Sequence, residues 1–545
     1  MLRGVLARRE LAVLVAVASG CFGCLAVAMA GASPGYAASR GAEEQGKSPA
    51  AGGAHSAAVD RIPPVPPRRA AVKPLASSGW LTLTNPPPFS PGEMFQLTDG
   101  QVLVQEESSS NAAGTSNWWV LTPDSSGSYQ NGTWSQVESM SAGYAPQYYA
   151  SAVLPDGRLV IEGGEYNGTN TPEWTNQGAI YDPVANTWTA IEPPEGGLGE
   201  WERIGDAPSS VLANGQFMFG ASGYSGTTAQ AILDAGTLTW AGTGAGKADG
   251  NGEEGWSLLP NGEVLTVDTQ DTPNTELYDP ASGTWQGAGD TPANLADSEG
   301  EVGPQVLMPN GSVLATGASG ANALYNTSTQ TWSAAPSFPV IDGQQYDIAD
   351  GPAGVLPDGN VLLDASPGLY STPVQFFLYN AKTRKLTKAP NPPNAANTSS
   401  YYGFMLMLPN GQLMYNDRFG DMVIYTAGGK AQKAWAPAVT SVPKALTAGS
   451  SYTLSGTQLN GLTQDTAYGD DYQDATNYPL VRITNNASKQ VVYARTSGMT
   501  SMSVTPGQSS SVQFTVPAAI GSGASTLVVV ANGIPSAKVK VTITG

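Results

Sequence analysis

The sequence predicts an all-β chain: a seven-bladed β-propeller followed by an immunoglobulin-like β-sandwich. Three observations predict it. Turn formers are abundant and charge is scarce, with 65 Gly and 41 Pro among 545 residues, 41% hydrophobic and 13% charged. That mixture is too apolar for a disordered chain and suits many short strands. A turn motif recurs seven times between residues 97 and 411, and beyond about residue 437 it gives way to a different series of short apolar runs.

The chain opens on Arg3, Arg8 and Arg9, then an apolar run from Leu11 to Ala32 that ends in small residues, Ala28-Met29-Ala30 and Ala30-Gly31-Ala32. This is the pattern of a cleavable secretory signal over residues 1–38, and it predicts a secreted protein. Cys21 follows a poor lipobox, so a lipid-anchored form is the lesser alternative. Residues 39–77 hold Ala, Gly, Ser and Pro, including Pro63-Pro64-Val65-Pro66-Pro67, and predict an extended linker without a core. No later apolar run is long enough to span a bilayer.

Residues 78–437 hold the repeat. Its copies are Leu97-Thr98-Asp99-Gly100, Leu154-Pro155-Asp156-Gly157, Leu212-Ala213-Asn214-Gly215, Leu259-Pro260-Asn261-Gly262, Met308-Pro309-Asn310-Gly311, Leu356-Pro357-Asp358-Gly359 and Leu408-Pro409-Asn410-Gly411. They are spaced 57, 58, 47, 49, 48 and 52 residues apart. Asp-Gly and Asn-Gly between apolar runs mark hairpins, because both residues tolerate positive φ. A second hairpin follows most copies, as in Tyr181-Asp182-Pro183 before Trp188 and Tyr278-Asp279-Pro280 before Trp285. Four strands per period of about 50 residues is the kelch-type propeller signature, and seven copies make seven blades. Trp80-Leu81-Thr82-Leu83-Thr84 is expected to complete the last blade, with Trp435 as the competing candidate. Residues 438–545, with apolar runs beginning at Ser451, Leu480, Val491, Val512, Thr526 and Lys538, predict the sandwich.

From about residue 79 onward the chain resembles the galactose oxidase and glyoxal oxidase family. The resemblance is carried by the seven turns, the Tyr-Asp-Pro strands and the tail Val529-Val530-Ala531-Asn532-Gly533-Ile534-Pro535-Ser536. It implies a secreted kelch-type propeller joined to an early-set sandwich. It also implies copper held by two histidines and two tyrosines, one tyrosine cross-linked to a cysteine. Here the only histidine is His55 and the only cysteines are Cys21 and Cys24, all before residue 78. The segment expected to enter the propeller axis from the sandwich, 485–490, offers Ser488 and Lys489, which do not replace imidazole and tyrosinate at Cu(II). Copper-radical chemistry is therefore not expected.

A formal charge of −19 disfavours nucleic acid and anionic membrane surfaces. Positions eight to ten before each turn glycine should ring one mouth of the axis. They read Tyr149, Asp206, Glu254, Glu301, Asp350 and Tyr402, with Glu93 in the first blade and Trp201, Glu202, Tyr401 and Trp256 beside them. Second-strand ends on the same face add Glu165, Asp268, Asp417 and Arg418. Carboxylates and aromatic faces together suit sugars, through hydrogen bonds to hydroxyls and stacking on C–H faces. The working expectation is a monomer that binds extracellular carbohydrate or a surface polymer at this mouth without a cofactor. One alternative is a polysaccharide hydrolase or lyase using paired carboxylates, with Glu202 and Glu254 as candidates. Another is a cell-envelope scaffold. Several carboxylates around an axis also suit Ca²⁺.

Overall fold

The computed structural model describes residues 79–195, 201–223, 226–419, 422–469 and 474–545. The leader over 1–38, the linker over 39–77 and His55 lie outside the described residues.

Each repeat folds from its turn outward. In Leu154-Pro155-Asp156-Gly157 the Gly157 N–H bonds to Leu154 O at 2.8 Å, and the Asp156 carboxylate accepts the Arg158 N–H at 3.0 Å. Gly157 sits at φ +90°, a conformation that costs glycine nothing. The two strands thus fixed, Ala150–Val153 and Leu159–Glu162, are wholly buried. The third and fourth strands, Gly178–Asp182 and Thr187–Ile191, become more exposed outward, which gives each blade a dry inner and a wet outer edge.

Among the described residues, seven such antiparallel sheets follow one another in sequence. Their innermost strands are Ser90–Gln96, Ala150–Val153, Ser209–Val211, Ser257–Leu258, Gln305–Leu307, Pro352–Val355 and Phe404–Met407. The recurrent tryptophan joins blade to blade. Trp188 packs on Tyr181 at 5.0 Å and donates its indole N–H to Glu138 O at 3.0 Å. Trp240 bonds to Glu192 O at 2.8 Å, and Trp332 to Thr275 Oγ1 at 2.9 Å.

The ring closes through Trp80–Thr82, which pairs with Met422–Tyr425 in the register Trp80↔Tyr425. Trp435, the competing candidate, instead ends a 3₁₀ turn, Lys433–Trp435. From Ala438 the chain forms the sandwich, whose longest strand, Gly523–Ala531, pairs on both sides with Leu480–Asn485 and Val539–Thr544. The sandwich seats on the face that carries the Asp/Asn-Gly turns: Thr496 N–H bonds to Thr98 O, Met499 to Pro155 O and Met502 to Ala213 O, at 3.2, 3.1 and 3.0 Å. The opposite face carries the mouth. No helix among the described residues is long and apolar enough to cross a membrane.

One expectation is corrected here. The segment entering the axis is not 485–490, which closes a hairpin on the sandwich through Asn485 N–H to Gln490 O at 2.9 Å. It is Thr466–Tyr468, which adds a fifth strand to the inner edge of the sixth blade with Ala353↔Ala467 in register. The tight turn at 485–490 is satisfied locally, since the Asn485 carboxamide accepts Ala487 and Ser488 N–H at 3.0 and 3.1 Å, so nothing draws it inward.

Candidate functional site at the axial mouth

The predicted ring surrounds a plug rather than a hole. Gln464 accepts the Leu258 N–H at 2.7 Å, the Tyr468 hydroxyl donates to Tyr401 O at 2.8 Å, and Gly469 N–H bonds to Gly351 O at 3.1 Å. A Cβ on Gly255 would come within 2.8 Å of Gly469 O, so glycine there is what lets the segment pass.

The plug divides the ring residues into three groups. Tyr149 is fully buried, its hydroxyl donating to Gln105 Oε1 at 2.8 Å, and burial together with Glu93 holds the phenol well above its ordinary pKa. Glu301 and Asp350 meet Glu253, with carboxylate oxygens within 4.8 Å of one another. Asp350 lies against Gly469, and Asp206 accepts Ser222 Oγ at 2.8 Å.

Glu254 belongs to a second group. It is buried at 2.8 Å from Lys247 Nζ, which also holds Glu276 at 2.8 Å. Burial presses Lys247 toward its neutral form, but the two glutamates outweigh this and hold its pKa above the usual lysine value. Burial raises Glu254 to about 7 and Asp268 to about 9. Trp256 packs on Trp285 at 5.6 Å with its indole N–H toward Glu254. Tyr149, Glu254 and Trp256, at 0, 0 and 1% exposure, thus lie beneath the mouth and present no face to a ligand arriving from solvent. Glu202, by contrast, is exposed on the loop before the third blade, and Trp201 is half-buried at 5.4 Å from Phe219.

The third group is built around Arg418 and Tyr402. Arg418 donates Nε to Glu107 Oε2 at 3.0 Å, and its Nη2 lies 2.8 Å from Oε1. Nη1 donates to the Tyr148 hydroxyl and Nη2 to Ala112 O at 3.3 Å. The guanidinium lies 5.4 Å from the Tyr148 ring centroid and 5.9 Å from that of Tyr402. Burial pushes the Glu107 carboxyl up and Arg418 draws it back, while Glu107 keeps Arg418 charged. The pair is neutral as a unit.

Rings rise from this pair to solvent. Tyr401 meets Tyr370 at 4.7 Å and Tyr402 at 5.2 Å, and Tyr402 meets Phe419 at 4.8 Å. Tyr370 and Phe419 are half-buried, on the loops between second and third strands of blades six and seven. Sequence reasoning did not single out Glu107, Tyr148, Tyr370 or Phe419. The available signal was the paired tyrosines, Tyr148-Tyr149 and Tyr401-Tyr402, each just before an innermost strand.

Among the described residues, two carboxylate sets have the proximity a cation needs: Asp249 with Glu254 and Asp268, and Glu253 with Glu301 and Asp350. The Lys247 ammonium already serves the first as counter-charge. The donors around Arg418 are phenols and one carboxylate, a set that does not fit the two-histidine, two-tyrosine copper centre.

No family model matches this sequence, and no curated protein matches it. Among solved structures, the chain is similar to a fungal alcohol oxidase of the AA5 family in complex with copper, at 15% identity over 86% of this chain and 98% of that one, with a TM-score of 0.47. It is similar to a chain of the mitotic checkpoint complex at 14% identity over 66% and 96%, with a TM-score of 0.41. It is also similar to the WD40 β-propeller domain of Doa1 at 9% identity over 64% and 95%, with a TM-score of 0.41. The chain is a seven-bladed β-propeller closed by its own Trp80–Thr82 strand and backed by a β-sandwich.

Proposed function

We propose that this protein is exported and, as a monomer, binds carbohydrate across the axial mouth without copper-radical chemistry. One observation carries the reading. Tyr370, Tyr401, Tyr402 and Phe419 form a continuous run of ring contacts, open to solvent at Tyr370 and Phe419, over the neutral Glu107–Arg418 pair. Such rings stack on the C–H face of a pyranose, and a neutral floor suits an uncharged ligand. Asp206 and Asp350, 7 and 8% exposed, stand at the same mouth as acceptors for sugar hydroxyls. The leader-like run after Arg8-Arg9 supports export, and the donor set around Arg418 supports a function without copper.

The test is a glycan array read with the full chain and with a Tyr370→Ala/Phe419→Ala variant. Losing both rings should weaken binding about tenfold or more, at roughly 0.5–1.5 kcal/mol per ring. A wild-type protein that binds no glycan ends the reading.

A hydrolytic reading has one observation in its favour. The carboxylate oxygens of Glu253, Glu301 and Asp350 lie within 4.8 Å of one another, and cleavage of a glycosidic bond uses a pair of such acids. Release of reducing ends that is abolished by Asp350→Asn, the more accessible of these acids at 8% exposure against 1% for Glu301, would favour hydrolysis over binding. No release by the wild type removes it.

A further inference from the structure

Charge is segregated in this molecule. Residues 438–545 contain the cations Lys444, Arg482, Lys489, Arg495, Lys538 and Lys540, and their only acids, Asp465, Asp470, Asp471 and Asp474, all fall between 465 and 474. Outside that short stretch the sandwich carries six positive charges and no negative one, in a chain whose net charge is −19.

Three of these cations converge on one concavity. A cleft of about 430 Å³ lies where the sandwich meets the turn face of the propeller, and Arg482, Lys489 and Lys538 line it. They come from three separate places: the strand Leu480–Asn485, the turn at 485–490, and the lead-in to Val539–Thr544. The remaining lining is neutral, with Asn410, Asn486, Thr484 and Thr526 as hydrogen-bonding groups and Val491, Val528 and Tyr493 as apolar surface. No carboxylate lines it. Asp124 lies two residues before the lining Ser126, and its Oδ1 accepts Ser126 and Ser128 N–H at 2.8 and 2.9 Å. Lys489 and Lys538 are exposed and Arg482 is half-buried, so the charges are accessible.

We infer that this cleft is a binding site for an anionic polysaccharide, a sugar chain bearing carboxylate, sulfate or phosphate groups. Like charges gathered in a concavity repel one another and attract a polyanion, and low-dielectric walls strengthen that field. A guanidinium offers a planar fork to an acid group, ammonium groups offer point charges, and the amides and hydroxyls match sugar hydroxyls. A nucleic acid fits less well, because the lining offers amides and hydroxyls suited to sugar hydroxyls but a single ring, Tyr493, on which bases could stack. This site is separate from the mouth, on the opposite face of the propeller, and stands or falls independently of the ligand proposed there.

The experiment measures binding of the full chain to polygalacturonate, heparin, neutral dextran and single-stranded DNA. The two acidic glycans distinguish carboxylate from sulfate recognition. Binding to at least one of them should weaken about tenfold or more between about 50 and about 200 mM salt, since the contacts are ionic. The exposed pair Lys489→Ala/Lys538→Ala should lower that affinity about tenfold or more with an unchanged melting temperature, and Arg482→Gln should lower it further. Tyr370→Ala/Phe419→Ala should leave it intact. No binding to either acidic glycan at low salt, unchanged affinity in the lysine pair, or equal affinity for single-stranded DNA or dextran would overturn the inference.

Discussion

Arg418 is a cation buried beneath the mouth. Its side chain is 1% exposed, and it is tolerated because Glu107, Tyr148 and Ala112 take its N–H groups. Removing Glu107 would strand a buried cation, which costs about 3–5 kcal/mol. Glu107→Ala should therefore lose stability of that order in urea unfolding, and Glu107→Gln less. A loss below about 1 kcal/mol, as for an exposed pair, would show that water reaches the guanidinium. The acids predict an unusual pH profile. Burial raises Glu254 to about 7, Asp347 to about 7 and Asp268 to about 9. An acid whose folded pKa is raised holds its proton longer folded than unfolded, so it favours the fold most below its unfolded pKa. That advantage falls away as pH rises, through the window from about 4 to 7 for Glu254 and Asp347 and on to about 9 for Asp268. The melting temperature should therefore be higher at pH 5 than at pH 9, with Asp268→Asn flattening the upper part of the slope; a melting temperature that climbs from pH 5 to pH 9 contradicts this. Tyr402 and Arg418 were legible as mouth residues because they stand at fixed offsets from a turn. Glu107 stands seven residues after Gly100, the same offset as Arg418 from Gly411, so its place at the mouth was equally readable; the pairing was not, because the two lie 311 positions apart and nothing local marks them as partners.

Among the elements, the closing strand is the most exposed to test. Trp80 is buried against Phe376 at 5.1 Å and Tyr425 at 5.0 Å, and its indole N–H donates to Pro390 O at 2.8 Å. It therefore ties the seventh blade to the sixth as well as completing its own sheet. Trp80→Ala should cost about 3–5 kcal/mol, the range for emptying an aromatic core site. A calorimetric scan checks it; a shift no larger than that of an exposed outer-strand alanine variant would mean that the ring closes without the tryptophan. The turns, the Tyr…Trp pairs and this strand were readable because each is a local pattern with a local cause. The axial strand was not. Thr466–Tyr468 is three residues long and flanked by polar side chains, Asn460, Thr463, Gln464 and Asp465. Their partners are scattered: the Gln464 carboxamide accepts Leu258 N–H from the propeller wall, Asn460 donates to Asn477 O and the Thr463 hydroxyl accepts Asp465 N–H, and no periodicity announces such an arrangement.

At the level of the molecule, two units of opposite charge are stacked, and their opposite faces carry different chemistry. The mouth is aromatic over a neutral ion pair, and the cleft beneath is cationic. If both sites bind glycans as proposed, a polymer with neutral and acidic stretches should be held more tightly than either part alone, because the second contact becomes intramolecular. Comparing such a mixed polymer with its fragments checks this; equal affinities would mean that the two sites cannot be engaged together. The repeat length, the blade number and the segregation of charge follow from the sequence, since each depends on residue type and local spacing, and the closing strand was readable from its own Trp-Leu-Thr pattern although its partner lies at the far end of the repeats. Tertiary structure alone decided that the axis is plugged, that Tyr149, Glu254 and Trp256 lie buried beneath the mouth, and that Lys489 belongs to a cleft rather than to the axis. The physical reason is that buried polar groups must find partners wherever the fold brings them. Which of many chemically adequate partners lies within 3 Å is set by the packing of units hundreds of residues apart.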